Sequence, residues 1–284
     1  MLNCNNTTIY VGMVPDGETT KIPADVVNLT GLLDGFGTTQ ISGLTRPKAE
    51  INRSALASAN ASRISGAQIT ERNIVMDIVP QGDGEEMRQA LYDILPFDTM
   101  LRFYVETKQR CVYIDGYAEE LEGDEPNGDE FSVQVSIICP FPWFQSVKLH
   151  TAQLKAGDNI IRNEGDIPAG FRLEVEGHIN MVGLIDFKLN VGGETFATKA
   201  DTNVIAPVEL ITIPGKRTFK CSNSGHISTS TWKPSFAYLA ADTKWPKIPA
   251  GAQTINVSYT EGGVDPYIFD NLNTLYWRDT YSGV

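Results

Sequence analysis

Apolar residues at alternate positions dominate the first half of this chain, and that period predicts strands. Ile74, Met76 and Ile78 fall on one face of residues 72–79, and Pro80 ends the run. The same alternation marks residues 101–105, 111–114 and 131–137. Shorter strand-like runs at 7–11 and 26–29 are set apart by Gly12, by Pro15-Asp16-Gly17 and by the glycines between 31 and 37. One stretch has the helical period instead. Met87, Ala90, Leu91, Ile94 and Leu95 recur at three- and four-residue spacing before Pro96, with Asp83 placed as the N-cap and Glu86 three residues on. These patterns predict antiparallel strands around a single helix.

After Trp143-Phe144 only strand patterns remain. Residues 171–175, 185–189, 208–213 and 255–259 are separated by Gly192-Gly193, Pro214-Gly215 and Gly262-Gly263, the punctuation of a β-sandwich. A second domain is therefore expected, with its boundary between about 145 and 160. Residues 46–70 have neither period. They read either as a surface loop or as an extended arm that becomes ordered against a neighbouring subunit.

Two further segments have open readings. The acidic run from Glu119 to Glu130 offers oxygen ligands for calcium, but it lacks the Asp-x-Asp-x-Asn-Gly spacing and its closing Glu. That favours a solvated hairpin connection, whose charge also protects a strand edge. In Pro140-Phe141-Pro142-Trp143-Phe144, three large rings flank two prolines that fix the backbone. Core packing at a domain junction is the favoured reading, and an apolar edge for a neighbouring subunit is the other.

Charge narrows the function. The 284 residues include 35 acidic and 23 basic side chains, a net −12 that repels phosphate backbones and argues against nucleic-acid binding through a broad basic surface. Cys4, Cys111, Cys139 and Cys221 match no metal-ligand spacing and read as reduced, mostly buried thiols. His150, His178 and His226 sit in no Gly-x-Ser-x-Gly elbow and no His-Glu-x-x-His helix, and no phosphate-binding glycine loop occurs. Neither a secretory leader nor a run of about 18 apolar residues is visible, so no membrane insertion is expected. No catalytic residue, cofactor or metal site is expected. A chain of this kind more often binds or assembles than transforms. Two other classes stay open: a carbohydrate-binding β-sandwich using Trp232, Tyr238 and Trp245, and a glycosidase resting only on abundant carboxylates.

Several segments together resemble the distal tail (Dit) proteins of long-tailed bacteriophages. They are Ile41-Ser42-Gly43-Leu44, Glu71-Arg72-Asn73-Ile74, Leu91-Tyr92-Asp93-Ile94-Leu95-Pro96, Ile114-Asp115-Gly116-Tyr117-Ala118-Glu119, Phe131-Ser132 and Ile137-Ile138-Cys139-Pro140-Phe141-Pro142-Trp143-Phe144. The second half agrees more loosely, through residues 161–168 and the terminal 276–284. The resemblance implies a mainly β protein in two domains. Residues 1–148 would be an antiparallel β-sandwich with one α-helix and an extended hairpin arm at 46–70 that orders against the adjacent protomer, tail-tube-like and ring-forming, and 149–284 a galectin-like β-sandwich.

It also implies a role: a structural baseplate hub in the virion, made in the host bacterial cytoplasm, in which a homo-hexameric ring joins the tail tube to the tail-tip apparatus. The implied partners are the tail-tube protein, the tail-associated fibre or lysin protein and, in some phages, receptor-binding proteins, with DNA only as passing cargo. Gly116, Tyr117, Glu119, Cys139, Pro140, Pro142, Trp143 and Phe144 are its structural or interface candidates. Sugar binding does not follow from a galectin-like fold. A ring of this kind would benefit from an acidic lumen that keeps a passing duplex from sticking.

Overall fold

The computed structural model describes residues 7–31, 35–55, 62–123, 132–175, 184–200, 203–222, 233–261 and 273–284. The chain forms two compact units, Met1–Lys148 with Tyr281–Val284 and Leu149–Thr280. The fold class is the expected one, mainly antiparallel β, with one α-helix among the described residues, in the first unit. The last four residues, expected in the second domain, lie with the first. Tyr281 is buried in the first unit's core and Val284 N donates to Leu44 O, so the chain end is tied there by packing and a backbone bond.

In chain order the first unit contains β1 (Thr7–Met13), β2 (Val27–Asn28), β3 (Phe36–Ser42), β4 (Glu50–Ala55), β5 (Ser62–Gln68), β6 (Arg72–Pro80), α1 (Gly84–Ile94), β7 (Leu101–Thr107), β8 (Cys111–Gly123), β9 (Val133–Cys139) and β10 (Phe144–Ser146). Hydrogen bonding orders seven of these strands β2-β1-β7-β8-β9-β6-β3, with β10 paired to β8 off that path. The long β8 makes the turn between layers. Its first part pairs β7 up to Leu101↔Gly116, and its second part pairs β9 from Tyr117↔Ile138 onward. A strand that switches partners in this way forms the corner of a sandwich.

The alternation seen in the sequence is the core. Ile74, Met76 and Ile78 pack with Ile9, Val11, Phe103, Ile114 and Val135 in one buried cluster. Helix α1 starts where expected. Asp83 is its N-cap and accepts from Glu86 N at 3.2 Å, and Leu91 and Leu95 are buried.

Residues 46–70, which carry no period, contain the two-stranded hairpin that the resemblance places there, β4–β5, and it pairs with no other strand among the described residues. One segment differs from expectation. The acidic residues Glu119, Glu120 and Glu122 lie within β8 and not in a connection, because β8 extends to Gly123. Residues 124–131 of that segment lie outside the described residues.

The second unit contains β11 (His150–Gln153), β12 (Gly157–Asn163), β13 (Phe171–Val175), β14 (Leu184–Val191), β15 (Glu194–Ala197), β16 (Asn203–Ile211), β17 (Thr218–Ser222), β18 (Lys233–Pro234), β19 (Gly251–Glu261) and β20 (Asn273–Trp277). Seven of them run in the order β11-β20-β13-β16-β14-β19-β12; off this path β15 pairs β14, and β17 pairs β16 and β18. Here β16 does what β8 does in the first unit. One end pairs β14 through Leu184↔Val204, the other pairs β13 and β17, and the register with β17 breaks between Ile205 and Val208. Phe171, Leu173 and Leu210 from one layer meet Phe187, Leu189, Ile255 and Val257 from the other.

Candidate functional site

The sequence candidates gather in part at the corner of the first sandwich. Gly116 is the last residue of β8 paired with β7, and the layers come too close there for a side chain. A Cβ on Gly116 would stand 2.9 Å from each of Cys139 Sγ, Ile137 Cγ2 and Ile138 O. Cys139 is fully buried beneath it. Burial pushes its thiol up to about 12, with Arg72 pulling it down and Asp115 pushing it up, so it stays protonated and unreactive at neutral pH. Cys111 and Cys221 are likewise free thiols raised chiefly by burial; Cys221 donates to Ser235 Oγ.

Cys139 pairs across the sheet with Arg72, the first residue of β6. Arg72 is 2% exposed and its guanidinium lies 4.5 Å from the centre of the Phe144 ring. Four of its N–H groups donate to backbone carbonyls: Nε to Pro142 at 2.8 Å, Nη1 to Gly43 at 2.5 Å and Thr45 at 2.7 Å, and Nη2 to Ser282 at 2.6 Å. No carboxylate takes part in these bonds. The cation is held by carbonyl dipoles, which offset its desolvation one bond at a time. Burial pushes it down to about 10, with Cys139 pulling it up, and it remains a cation at neutral pH.

One guanidinium therefore ties together the loop after β3, the Pro-rich turn and the chain end. Gly43 is specified by the same junction. Its φ is +82°, and a Cβ there would run into Asn73 O. Three segments quoted separately from the sequence, around Gly43, Arg72 and Pro142-Phe144, thus meet at one residue that was not among the candidates. The available signal was parity: Arg72 has the same strand phase as Ile74, Met76 and Ile78, which puts it on the core side.

The eight candidates divide by exposure. Gly116, Cys139, Pro142 and Phe144 are internal, whereas Tyr117 and Trp143 are half-buried and Glu119 and Pro140 are exposed. Glu119 sits where the β8–β9 register shifts between Ala118 and Glu120, and Ser136 Oγ donates to its carboxylate at 3.2 Å. Beside the corner, Arg102 and Asp115 form a two-bond pair, Nε–Oδ1 2.7 Å and Nη2–Oδ2 2.9 Å, with the guanidinium 3.9 Å from the Tyr113 ring centre. Burial pulls Arg102 down, but the Asp115 carboxylate more than offsets it and the guanidinium ends raised.

In the second unit, His150 Nε2 bonds Asp279 Oδ2 at 2.8 Å and its ring stacks on Trp277 at 5.1 Å. The other Asp279 oxygen accepts from Glu164 N at 2.9 Å, so the carboxylate ties β11 to the segment after β12. His178 and His226 lie outside the described residues. Among the sugar-stacking candidates, Tyr238 and Trp245 pack against the second core, and Trp232 lies outside the described residues. Among the described residues no group of three or more His, Cys, Asp and Glu is arranged to hold a metal ion, and no helix is long and apolar enough to cross a membrane.

These features describe two antiparallel sandwiches in which Arg72, the Arg102–Asp115 pair and Asp279 tie strands and loops together. Solved structures of the same fold come from phage tail assemblies. The chain superposes on the Dit (gp 19.1) protein of phage SPP1, a paradigm of the hub adsorption apparatus in phages infecting Gram-positive bacteria. The TM-score is 0.65 at 14% identity, over 96% of this chain and 98% of that one. It also superposes on a chain of the phage P2 baseplate in its activated conformation, with Ca or with Sr, at a TM-score of 0.51 and 11% identity over 98% and 99% of the two chains. No family model matches the chain, and no curated protein matches its sequence. The fold is Dit-like along nearly the whole length.

Proposed function

We propose that this protein is the distal tail hub of a long-tailed bacteriophage or phage-like particle. It assembles as a homo-hexameric ring that joins the tail tube to the tail-tip adsorption apparatus. The observation that carries this reading is the end-to-end similarity to a hub protein, across both units and with neither chain overhanging the other. The role is structural and not catalytic. Its partners are further copies of itself, the tail-tube protein and the tail-associated fibre or lysin protein, with receptor-binding proteins as outer partners in some particles. The molecule resides in the virion tail tip after synthesis in the host cytoplasm.

Two features support the assembly role. The hairpin β4–β5 is solvent-exposed throughout its described side chains, and a lone two-stranded hairpin is marginal in water without a surface to lie on. Tyr117, Glu119, Pro140 and Trp143 keep exposed surface at the corner and are the candidates available to a neighbour. The net −12 suits an acidic lumen past which DNA slides as cargo.

Light-scattering mass combined with negative-stain imaging of the purified protein, alone and with its tail-tube partner, tests the reading. Six-fold rings are expected. A protein that stays monomeric in both conditions overturns it, and a lumen lined mainly by Lys and Arg overturns the charge assignment.

A further inference from the structure

A sheet that ends in an open strand offers backbone donors and acceptors to another chain, and folded proteins blunt such ends. Among the described residues, three of the four ends of the two main strand paths are blunted: β2 has two residues, β11 has four, and β3 is broken by a register shift between Thr38 and Gln40. β12 is different. Its seven residues pair β19 without a shift, from Gly157↔Val257 to Asn163↔Gly251, and among the described residues no strand pairs its other edge. The turn into it is fixed by Asn159, which donates to Lys155 O at 2.8 Å and Gly157 O at 3.1 Å and accepts from Lys155 N at 2.8 Å.

The two faces of β12 are distinct. Ile161 and Asn163 are buried, whereas Asp158, Ile160 and Arg162 are exposed on the opposite face. Ile160 is 81% exposed, more than any other large apolar side chain among the described residues. The Arg162 side chain makes no hydrogen bond or ion pair among the described residues. Asp158 Oδ1 accepts from Asn256 Nδ2 at 2.7 Å, which leaves Oδ2 for a second donor. Outward from the sheet the strand reads acid, apolar, base, an order complementary to its own reverse.

We propose that β12 pairs antiparallel with β12 of a second copy of this chain, about a two-fold axis at Ile160. In that register the two Ile160 side chains lie opposite each other and Asp158 of each copy faces Arg162 of the other, giving one apolar pair and two ion pairs. Directly opposed residues share a face, so the outer face of the sheet continues across the contact and Ile161 stays in its own core. No like charges come opposite: Lys155 meets Gly165, and Glu164 meets Ala156. Main-chain hydrogen bonds supply the affinity, and the three outward side chains set the register. The contact uses the same patch on both copies, so it closes a pair and stops. It involves the second unit only, and therefore goes beyond the ring reading and does not depend on it.

Cross-linking of the full chain tests the pairing. Opposed residues of an antiparallel pair have Cα atoms about 4.5–5.5 Å apart, inside the disulfide range, so Ile160→Cys is expected to give a covalent dimer under mild oxidant. The native chain and Thr151→Cys, whose residue is exposed on the opposite end strand β11, are expected to stay uncross-linked under the same oxidant. Adding Asp158→Arg or Arg162→Asp to Ile160→Cys sets like charges opposite each other and should cut the dimer yield at least about fivefold. Adding both should return it to within about twofold. Mixing the two single-charge chains should also restore it, as a heterodimer, because two arginines then meet two carboxylates. No dimer from Ile160→Cys, or equal yields whatever the charges at 158 and 162, overturns the pairing. Cross-linking of Ile160→Cys only to an added tail-tube or fibre protein assigns the edge to that partner and likewise overturns self-pairing. Rings that form without a trapped dimer overturn the pairing and leave the ring reading intact. A charge-dependent dimer from a chain that never forms rings supports the pairing and counts against the ring reading.

Discussion

Gly116 and Cys139 limit each other's size at the corner of the first sandwich, where Cys139 Sγ stands 2.9 Å from the position a Cβ on Gly116 would take. Gly116→Ala is expected to destabilise the protein by about 1–3 kcal/mol, the usual cost of overpacking a closed core. Adding Cys139→Ala removes one of the three close atoms but not Ile138 O, which is backbone, so the rescue is partial. Urea unfolding of the two single variants and the double should show a favourable coupling of about 0.5 kcal/mol or more. Strict additivity would mean the two residues do not press on each other.

The buried thiol makes alkaline stability a reporter of the same corner. Cys139 has a folded-state value, about 12, above its ordinary value of 9.0, so the folded chain holds a proton that the unfolded chain loses. The stabilisation is complete below pH 9 and is lost as the pH rises toward 12. Between pH 8 and 10 this one group accounts for about 1.4 kcal/mol of lost stability. Arg72 stays charged in both states across most of that window and adds little slope. Denaturant midpoints measured from pH 8 to 10 should therefore fall less steeply in Cys139→Ala than in the native chain. Parallel slopes would contradict the burial.

Arg72 is expected to tolerate no substitute. Arg72→Met leaves the carbonyls of Gly43, Thr45, Pro142 and Ser282 without their donor and should cost about 3–5 kcal/mol. Arg72→Lys keeps the charge but has a single nitrogen, which cannot reach carbonyls on three separate segments, and should recover less than half of the loss. Hydrogen exchange separates a local effect from a global one. The Val284 amide, which donates to Leu44 O, should lose protection in Arg72→Lys before the core strands do.

How much of this was legible in the sequence depended on whether a residue's role was local. Helix α1 was visible because cap, period and stop lie within a dozen residues, and β6 because one buried face imposes a period of two; β7 shows the same alternation of type although residues 101–105 are buried on both faces, Tyr104 packing with Tyr113 and Val147. β3 was missed: Phe36–Ser42 reads FGTTQIS, and as an end strand of the sheet path it has no second neighbour to demand apolar alternation. The hairpin β4–β5 carries no period because its described side chains meet no core of their own chain, and only the resemblance marks its place at 46–70. Arg72 was quoted as part of a motif but not as a site, since four of its partners are carbonyls 27 to 210 residues away and carbonyls leave no mark on residue type.

The cap of α1 gives a local control. Asp83→Ala removes the acceptor for Glu86 N and should lower stability by about 1 kcal/mol, while Asp83→Asn, which keeps an acceptor oxygen, should cost a few tenths. A thermal melt of both variants checks the order. Equal losses would show that the carboxylate charge, through the helix dipole, matters more than the hydrogen bond.

Removing the hairpin separates folding from assembly. Glu50 and Gln68 are paired directly across β4 and β5, so their backbones are already at the spacing a two-residue turn bridges. Replacing residues 51–67 by Asn-Gly should close the chain without strain. The described side chains of 51–54 and 62–68 are exposed and none belongs to the first unit's core, so the denaturant midpoint should stay within about 0.5 kcal/mol of native. Ring assembly should be lost, because the deletion removes only the arm, the segment that the assembly role lays against a neighbouring copy. Loss of stability would show that the hairpin is part of the fold. A stable protein that still forms rings would show that the arm is dispensable for closing them.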